Sequence, residues 1–336
     1  MGGFDINTYF LYVEARENAS TAPLALYFAG GPGESSIFTA MDSESGPCYV
    51  NLAGNYTVIN SWSFNNHVNM LFIDQPVQTG YSYDTLVNGT FNLTDETITP
   101  LVFNGSDAAA DTDATSWGTW PSQDPAYTTN TTVSSARALW HFGEHWLSSF
   151  PEYSTSSENI GFWGNSYGGY WAPETAARFS KNLKTLPAKH PLKANVQQAL
   201  GAPLNFTESS TLEEAVAGFA DVVGTGDGVR QAGLPNLEYL LAEGVKVALI
   251  YGDREYRCPW TGAETTAKAA NWTGQRGFLS AGYERIQSIT GGDQGVVKQY
   301  GPLSFSRIFN SGHSATRTPR RRSISSSSAR LLARTS

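Results

Sequence analysis

A serine flanked by glycines is the first candidate for chemistry in this chain. Ser166, in GFWGNSYGGYWAPE, completes the pattern G-x-S-x-G with Gly164 and Gly168. A serine hydroxyl is a weak nucleophile until a base takes its proton and a carboxylate orients that base. A chain with 33 glycines meets this pattern by chance, so the motif alone fits an ordinary glycine-rich turn equally well. The partners of Ser166 must decide.

A base and an acid follow in the order that such chemistry uses. Asp253 comes directly after the apolar run VKVALIYG, at the carboxyl end of a predicted strand, where open α/β sheets place catalytic groups. His313, in FNSGHS, follows a glycine as a loop histidine would. Taken alone, each residue has a non-catalytic explanation: Asp253 would cap a loop, and His313 would be a solvated side chain. Together, the order Ser166, Asp253, His313 is that of the α/β-hydrolase triad.

Two backbone N–H groups are candidates for an oxyanion hole. A nucleophile on a strand-to-helix turn points the next N–H, that of Tyr167, into the site. The segment GGPGESS after the first predicted buried strand can supply the second, from Gly31, because glycine lets the backbone approach a substrate closely. The alternative is that GGPG is only a tight turn.

The segment HFGEH offers a competing site. His141, Glu144 and His145 have the H-x-x-E-H spacing of one class of zinc peptidases. Such a site needs a third protein ligand, and Gly143 weakens the helix that would carry the first two. We therefore interpret these residues as part of a packed helix and predict no metal and no organic cofactor.

Apolar runs and helical patterns alternate along the chain. Such runs are typical of strands buried on both faces of a parallel sheet. The alternation predicts a doubly wound, mostly parallel α/β sheet. A polar stretch, 84–132, is predicted to be a long surface excursion. The predicted strands are 23–28, 68–73, 159–163 and 245–251, and the predicted helices are 134–148, 172–183, 209–224 and 236–244.

Composition excludes several classes of protein. Its 9 Trp, 16 Tyr and 17 Phe in 336 residues indicate a globular protein. A formal charge of −8 argues against a nucleic-acid partner, and no apolar run is long enough to span a membrane. Residues 314–336 differ, with six arginines and no acid. We expect this tail to be disordered, as a solvated end or a non-native reading frame.

Sequons and the N-terminus point in different directions. Eight N-x-S/T sequons favour a secretory route and a glycoprotein, yet MGGFDINTYF has neither a basic nor an apolar signal region. We expect that the true start lies upstream. Cys48 and Cys258 could pair or stay free. The sequons are at Asn18, Asn55, Asn88, Asn92, Asn104, Asn130, Asn205 and Asn271.

Many ordered motifs resemble the serine carboxypeptidases, in a fungal form. They are YFLYVEAR, GGPGESS, ESGP, SWSFNNHVNMLFIDQPVQTGYSY, FPEY, GNSYGGYWAPE, VQQALGAPLNF, VALIYGDREYRCPWTG and SGH. The resemblance covers residues 8 to 313. It implies an α/β-hydrolase that removes C-terminal residues from peptides, in a vacuole or outside the cell. It matches Ser166 to the nucleophile, Asp253 to the orienting acid, His313 to the base, and the N–H groups of Gly31 and Tyr167 to the oxyanion hole.

The resemblance also implies a site for the substrate's terminal carboxylate. The family has Asn before GGPG and Glu before the nucleophile, where this chain has Ala29 and Asn165. Of that set Gly30 and Glu44 remain, with Asn165 as a replacement donor. Because a paired Glu–Glu site must be protonated to accept a carboxylate, whereas an amide donates at any pH, we expect weaker binding that persists to higher pH.

Two departures from the family concern the lid and the end of the chain. The stretch between Ser166 and Asp253 is shorter than in the family, so we expect a reduced helical lid around 172–244 in a hydrolase domain of residues 1–313. The family continues as G-H-x-V-P where this chain has GHSATRTP. The alternatives are an acyltransferase or esterase on the same fold, or a catalytically impaired, truncated relative.

Overall fold

The structure is a computed structural model that describes residues 4–41, 45–51, 53–94, 97–101, 112, 114–182, 233–287 and 292–315. The chain forms two compact units. The first comprises the described parts of 1–12, 23–38 and 71–230, and the second the described parts of 13–22, 39–70 and 231–336. The expected tail is described only as far as residue 315. Most of the expected lid, 183–232, lies outside the described residues, and so does the predicted helix 209–224.

Strands and helices alternate along the described chain. The strands are β1 (Phe10–Val13), β2 (Leu24–Phe28), β3 (Cys48–Val50), β4 (Thr57–Ile59), β5 (Asn69–Ile73), β6 (Leu86–Asn92), β7 (Ile98–Pro100), β8 (Thr115–Pro121), β9 (Ile160–Gly164), β10 (Val247–Gly252), β11 (Tyr283–Gln287), β12 (Asp293–Tyr300) and β13 (Leu303–Ile308). The helices are α1 (Ser36–Ala40), α2 (Thr132–Ser149), α3 (Gly168–Asn182), α4 (Gly233–Ala242), α5 (Trp260–Ala269) and α6 (Gln275–Ser280).

The first unit is organised by a four-stranded sheet in the order β1-β5-β2-β9. The two strands that lead to the glycine-rich segments are neighbours: β2 and β9 pair in parallel, from Leu24 opposite Ile160 to Phe28 opposite Gly164. All five residues of β5 are buried, as expected for a strand covered on both faces. The predicted strands 23–28, 68–73 and 159–163 are confirmed to within one residue at each end.

Helix α2 starts two residues earlier than predicted, at a capping box. The Thr131 side chain accepts a hydrogen bond from the Ser134 N–H, and the Ser134 side chain accepts one from the Thr131 N–H. The prediction for α3 was wrong at its start, because the helix begins at Gly168 and Pro173 lies inside it. The helix begins directly after the turn at Ser166, and this turn fixes the direction of the helix. Pro173 is therefore tolerated inside the helix although it has no backbone N–H to donate.

Aromatic side chains fill the space between α2 and α3. Trp140 and Phe179 meet edge to face at 4.9 Å, and Phe179 and Trp171 are at most 1% exposed. Burying a side chain of this size contributes about 1.5–3 kcal/mol. Gly143 faces the same interface, where an added Cβ would come within 2.4 Å of Phe179 Cζ. The glycine in HFGEH therefore serves close packing of the helices.

The predicted surface excursion contains an antiparallel sheet. Strand β6 lies between β7 and β8, and the Trp120 indole donates to the Gly89 carbonyl at 3.1 Å. Trp120 is 3% exposed, and its ring lies tilted against that of Phe91 with the centroids 5.4 Å apart. This sheet was not predicted, because only sparse aromatic residues among many Thr, Ser and Asn give one face apolar area to pack.

The second unit is organised by a sheet in the order β10-β13-β12-β11. Strands β10 and β13 are parallel, whereas β12 is antiparallel to both of its neighbours. The predicted strand 245–251 corresponds to β10, and the antiparallel hairpin was not predicted. Helix α4 ends before Gly244, whose φ of 75° is the left-handed geometry of a helix C-cap. None of the described helices is long and apolar enough to span a bilayer.

Replacing Gly143 tests the packing of α2 on α3. We expect Gly143→Ala to lower the free energy of unfolding by about 1–2 kcal/mol, since overpacking outweighs the better helix propensity of alanine. Gly262→Ala in α5 is the matched control, because nothing lies within 4 Å of the added Cβ. Urea unfolding measures both. Equal effects of the two changes would contradict the packing seen here.

Candidate active site

Ser166 stands on a left-handed turn between β9 and α3. Its φ is 54°, a region that costs a non-glycine residue roughly 1–2 kcal/mol. A strained serine at a strand-to-helix turn is the geometry of a nucleophile elbow. The turn context predicted for Ser166 is therefore present in the first unit.

Backbone hydrogen bonds hold this turn in place. The Asn165 N–H donates to the Phe28 carbonyl at 3.0 Å, which ties the turn to the end of β2. The Gly168 N–H donates to the Asn165 carbonyl at 2.8 Å, and the Gly169 N–H donates to the Ser166 carbonyl at 2.9 Å. The strain at Ser166 is balanced by these bonds on both sides of it.

Both glycines of the motif are required by close backbone approaches. A Cβ on Gly164 would lie 2.0 Å from the Gly168 carbonyl oxygen, and a Cβ on Gly168 would lie 2.3 Å from the Phe28 carbonyl oxygen. These distances are far below van der Waals contact. The two glycines let the strand, the turn and the helix pack without side chains between them.

The segment GGPGESS, residues 30–36, lies beside the serine; we call it the glycine loop. A Cβ on Gly30 would come within 2.5 Å of Ser166 Cβ and 3.0 Å of its Oγ. Gly31 has a φ of 96°, and within the described residues its N–H has no hydrogen-bond acceptor. The glycine loop and the candidate nucleophile are thus neighbours, and an unpaired N–H lies in that loop.

His313 pairs with Glu255 in the second unit. The His313 Nδ1 lies 2.8 Å from Glu255 Oε2. The loops that carry them run side by side, because the Asp253 N–H donates to the Ile308 carbonyl and the Arg254 N–H to the Ser311 carbonyl. An imidazole held at Nδ1 by a carboxylate keeps its other nitrogen available for proton transfer.

The Glu255 carboxylate is itself fixed by backbone donors. Its Oε1 accepts the N–H of Cys258 at 2.9 Å and that of Arg257. Burial works to raise the pKa of Glu255, but the Cys258 N–H, the charge of His313 and the Arg257 N–H together lower this pKa. The Glu255 carboxyl therefore stays ionised in mild acid.

The neighbouring Cys258 thiol stays protonated, because burial and the charge of Glu255 raise its pKa.

Asp253, the expected orienting acid, has a different environment. Its Oδ1 is buried without a hydrogen bond and lies 3.8 Å from Arg254 Nε in a weak ion pair. Within the described residues it does not bond the imidazole of His313, whose carboxylate partner is Glu255. Glu255 was missed although it follows in the same motif, GDREYRC. Sequence spacing gives no reason to prefer the second acid over the first.

The expected residues for the substrate carboxylate are only partly described. Gly30 and Asn165 flank the Ser166 turn in the first unit, and Glu44 lies outside the described residues. Ala29 is 2% exposed, and its N–H donates to Ser36 Oγ at 3.0 Å. Its methyl side chain offers no hydrogen bond, so Asn165 is the described side-chain donor next to the nucleophile.

Neither the histidine pair of α2 nor the two cysteines belongs to a metal-ligand cluster within the described residues. In the described part of the chain, no three His, Cys, Asp or Glu side chains converge as metal ligands would. His141 is exposed and lies 3.7 Å from Glu144, while His145 faces Ser149. Cys48 and Cys258 are both free.

Changes at the two glycines of β9 test the nucleophile turn. We expect Gly164→Ala to lower the free energy of unfolding by at least about 3 kcal/mol, because the added Cβ meets backbone that cannot move aside. Gly161→Ala in the same strand meets ordinary contacts at 3.7 Å and should stay within about 1 kcal/mol of the parent. Thermal unfolding followed by circular dichroism compares the two. A tolerated Gly164→Ala would contradict the described turn.

Comparisons with known proteins identify the family. The family model for serine carboxypeptidases matches residues 4–194 and 188–328. Carboxypeptidase S1 homolog A of Arthroderma benhamiae is 30% identical, over 92% of this chain and 67% of the relative. Carboxypeptidase Y homolog of the same fungus is 28% identical, over 92% and 70%. The alignment with the first relative extends over 446 positions, more than the 336 residues of this chain, so that relative has segments absent here.

A solved structure agrees on the fold. Kex1Δp, a prohormone-processing carboxypeptidase from Saccharomyces cerevisiae, superposes with a TM-score of 0.65 at 18% identity, covering 94% of this chain and 84% of that one. The α/β-hydrolase prediction is confirmed. Because the family model matches most of its length, the chain belongs to the serine carboxypeptidase family of hydrolases.

Proposed function

We propose that this chain releases C-terminal amino acids from peptides through an acyl-enzyme on Ser166. The observation that carries the proposal is the left-handed turn at Ser166, packed against the glycine loop. Such a turn has a steric cost that a merely structural serine would not need. The matched family supplies the reaction class.

The first half of the reaction forms the acyl-enzyme. The Ser166 oxygen attacks the carbonyl carbon of the last peptide bond while His313 takes the serine proton through Nε2. The N–H groups of Gly31 and Tyr167 donate to the oxyanion that develops. His313 then gives its proton to the leaving nitrogen, and the terminal amino acid departs.

The second half returns the enzyme to its starting state. Water attacks the acyl carbonyl, His313 takes a proton from that water, and the same two N–H groups stabilise the second oxyanion. Ser166 leaves with the proton from His313. Every proton taken is returned, so the mechanism requires no metal or organic cofactor.

We assign the orienting carboxylate to Glu255 in place of Asp253. The 2.8 Å contact at His313 Nδ1 supports this role, and the two backbone donors on Oε1 hold the carboxylate still. A lowered pKa keeps Glu255 ionised, which stabilises the imidazolium that forms during attack.

Recognition of the substrate's terminal carboxylate completes the proposal. We expect Gly30, Glu44 and Asn165 to bind it, with the amide of Asn165 donating independently of pH. The substrates are peptide or protein C-termini, and the sequons favour a secreted or vacuolar location. A site that binds a free carboxylate distinguishes a carboxypeptidase from an acyltransferase or an esterase.

A pair of blocked dipeptides tests the function. We expect turnover of an N-blocked dipeptide with a free C-terminal acid, little turnover of its amide, and no turnover of either by Ser166→Ala. KM for the acid should change little between pH 5 and pH 7, because Asn165 does not titrate. The measurement is the release of amino acid, followed at both pH values.

Three outcomes would contradict parts of this proposal. Equal turnover of acid and amide would favour an amidase, esterase or acyltransferase, and absence of turnover would indicate an impaired relative. A KM that rises steeply from pH 5 to pH 7 would contradict the role of Asn165.

The choice between the two acids is tested by isosteric amides. In Glu255→Gln, the amide oxygen accepts from the Arg257 and Cys258 N–H groups, so its NH₂ faces His313 Nδ1 and favours the wrong tautomer. We expect kcat to fall by about 10³-fold or more with KM nearly unchanged. Asp253→Asn is the control and should change kcat little. If kcat measured in steady-state kinetics instead fell in Asp253→Asn and changed little in Glu255→Gln, Asp253 would be the carboxylate that orients His313.

A further inference from the structure

Asp74, which follows β5, joins three separate segments of the first unit. Its Oδ1 accepts the Ser35 hydroxyl at 2.7 Å and the Ile37 N–H at 3.2 Å. Its Oδ2 accepts the Tyr81 N–H at 3.0 Å. The residue is 1% exposed. Burying a carboxyl this deeply costs free energy unless hydrogen bonds replace its contacts with water.

These bonds restrain the glycine loop at its far end. Ser36 Oγ accepts the Ala29 N–H at 3.0 Å, where the loop leaves β2. The Glu34 N–H donates back to the Gly30 carbonyl at 3.2 Å. Ser35, the next residue, is bonded to Asp74. The bond between Ala29 and Ser36 therefore joins the two ends of the loop that carries Gly31, and Asp74 holds its carboxyl-terminal end.

A second segment is fitted around the same carboxyl. Gly80 has a φ of 57°, and a Cβ there would lie 2.2 Å from Asp74 Oδ2. The Ser82 hydroxyl donates to the Asp74 carbonyl at 2.7 Å and accepts the Tyr9 N–H at 2.8 Å. Asp74 thus has little freedom to move, and a change in its charge must be absorbed by its partners.

The protonation of Asp74 changes in mildly acidic solution. Burial raises its pKa to about 6, although the N–H groups of Tyr81, Ile37 and Ser36 and the Ser35 hydroxyl work to lower it. The titratable side chains around it are phenols. Burial, Tyr9 and Asp74 itself raise the pKa of Tyr81, so Tyr81 stays neutral in this range. Among the described residues no cation contributes to the shift at Asp74.

We propose that Asp74 is a positioning residue for the glycine loop, and that the loop is held closed by the neutral acid and loosened when Asp74 ionises. This inference rests on the proposed function, since it gives the loop its role as an oxyanion donor. In the neutral state the carboxyl O–H donates to Ser35 Oγ, which also accepts the Phe38 N–H at 3.2 Å. The two carboxyl oxygens still accept from Ile37 and Tyr81, whereas the Ser35 hydroxyl no longer donates to Asp74.

The direction follows from proton linkage. The pKa is higher with the carboxyl buried in the closed loop than at the ordinary value of 3.8 in water, so closure favours the protonated form. The stabilisation of the closed loop is complete below pH 3.8 and is lost as the pH rises through about 6. Loss of the oxyanion donor would lower kcat rather than raise KM, because that contact is made in the transition state.

The kinetic test compares two buried aspartates. We expect kcat of the parent enzyme to fall as the pH rises toward about 6 and to level off above it, because Asp74 is then ionised whether the loop is closed or open. Asp74→Asn does not titrate and should lack this fall. Asp84→Asn is the matched control, since Asp84 is 3% exposed and is bonded to Ser122, away from the glycine loop. It should behave as the parent does.

A second variant keeps the test valid if Asp74→Asn does not fold. Ser35→Ala removes a donor that lowers the pKa of Asp74, so the fall in kcat should move to higher pH. A lower kcat at every pH, with the position of the fall unchanged in both variants, would show a purely structural role and overturn the proposal.

Hydrogen exchange gives a readout that does not need activity. After correction for the intrinsic exchange rate, protection of the Ile37 and Tyr81 amides should decrease as the pH rises from 5 to 7 in the parent but not in Asp74→Asn. The same comparison can be made in Ser166→Ala. An enzyme without turnover that shows this pattern would refute the proposed function alone, whereas pH-independent protection in the parent would refute the role of Asp74.

Discussion

The close approach of backbone to backbone at Ser166 is the constraint on which the rest of the first unit depends. The end of β2, the end of β9 and the start of α3 converge there, and Gly164 and Gly168 leave no side chain between them. The hydrogen bond from the Asn165 N–H to the Phe28 carbonyl fixes the ends of β2 and β9 opposite one another. The sheet register, the direction of α3 and the contact with Gly30 follow from this one junction, so the positive φ of Ser166 is maintained by the whole sheet.

The halves of the candidate triad belong to different units. Ser166, Gly31 and Tyr167 are in the first unit, and His313 and Glu255 are in the second. Each half is internally organised by backbone contacts. In the first half, glycines allow the backbone segments to approach closely. In the second half, β10 and β13 are parallel, and the loop after β10 donates backbone hydrogen bonds to the end of β13 and the loop after it.

The buried strands and the turn at Ser166 were predictable from the sequence because their signals are local. Runs such as NMLFI and LALYF are apolar on both faces, and glycines mark where backbones must approach. The β6–β8 sheet was missed because its strands are mostly polar and depend on a few aromatic contacts. The start of α3 was misplaced because the junction at Ser166 overrides the usual position of proline.

The site was less predictable where two similar groups compete. Asp253 and Glu255 both follow β10, and only the direction of each side chain decides which one meets His313. That direction depends on the Arg257 and Cys258 N–H groups, a feature of loop geometry that residue types do not encode. Asp74 was missed for a related reason: a carboxylate at the end of a buried strand has no sequence signature for the loop it contacts.

The pairing of β2 with β9 has a consequence for synthesis. Leu24 pairs with Ile160, so β2 emerges from the ribosome long before its partner exists. Closing so long an intervening segment carries an entropic cost, and nonlocal strand pairs form slowly. The glycine loop and the Ser166 turn can only be completed at that late stage. A nascent chain therefore has no assembled nucleophile until about half of its 336 residues have been made, which delays any proteolytic capacity until β9 has paired with β2.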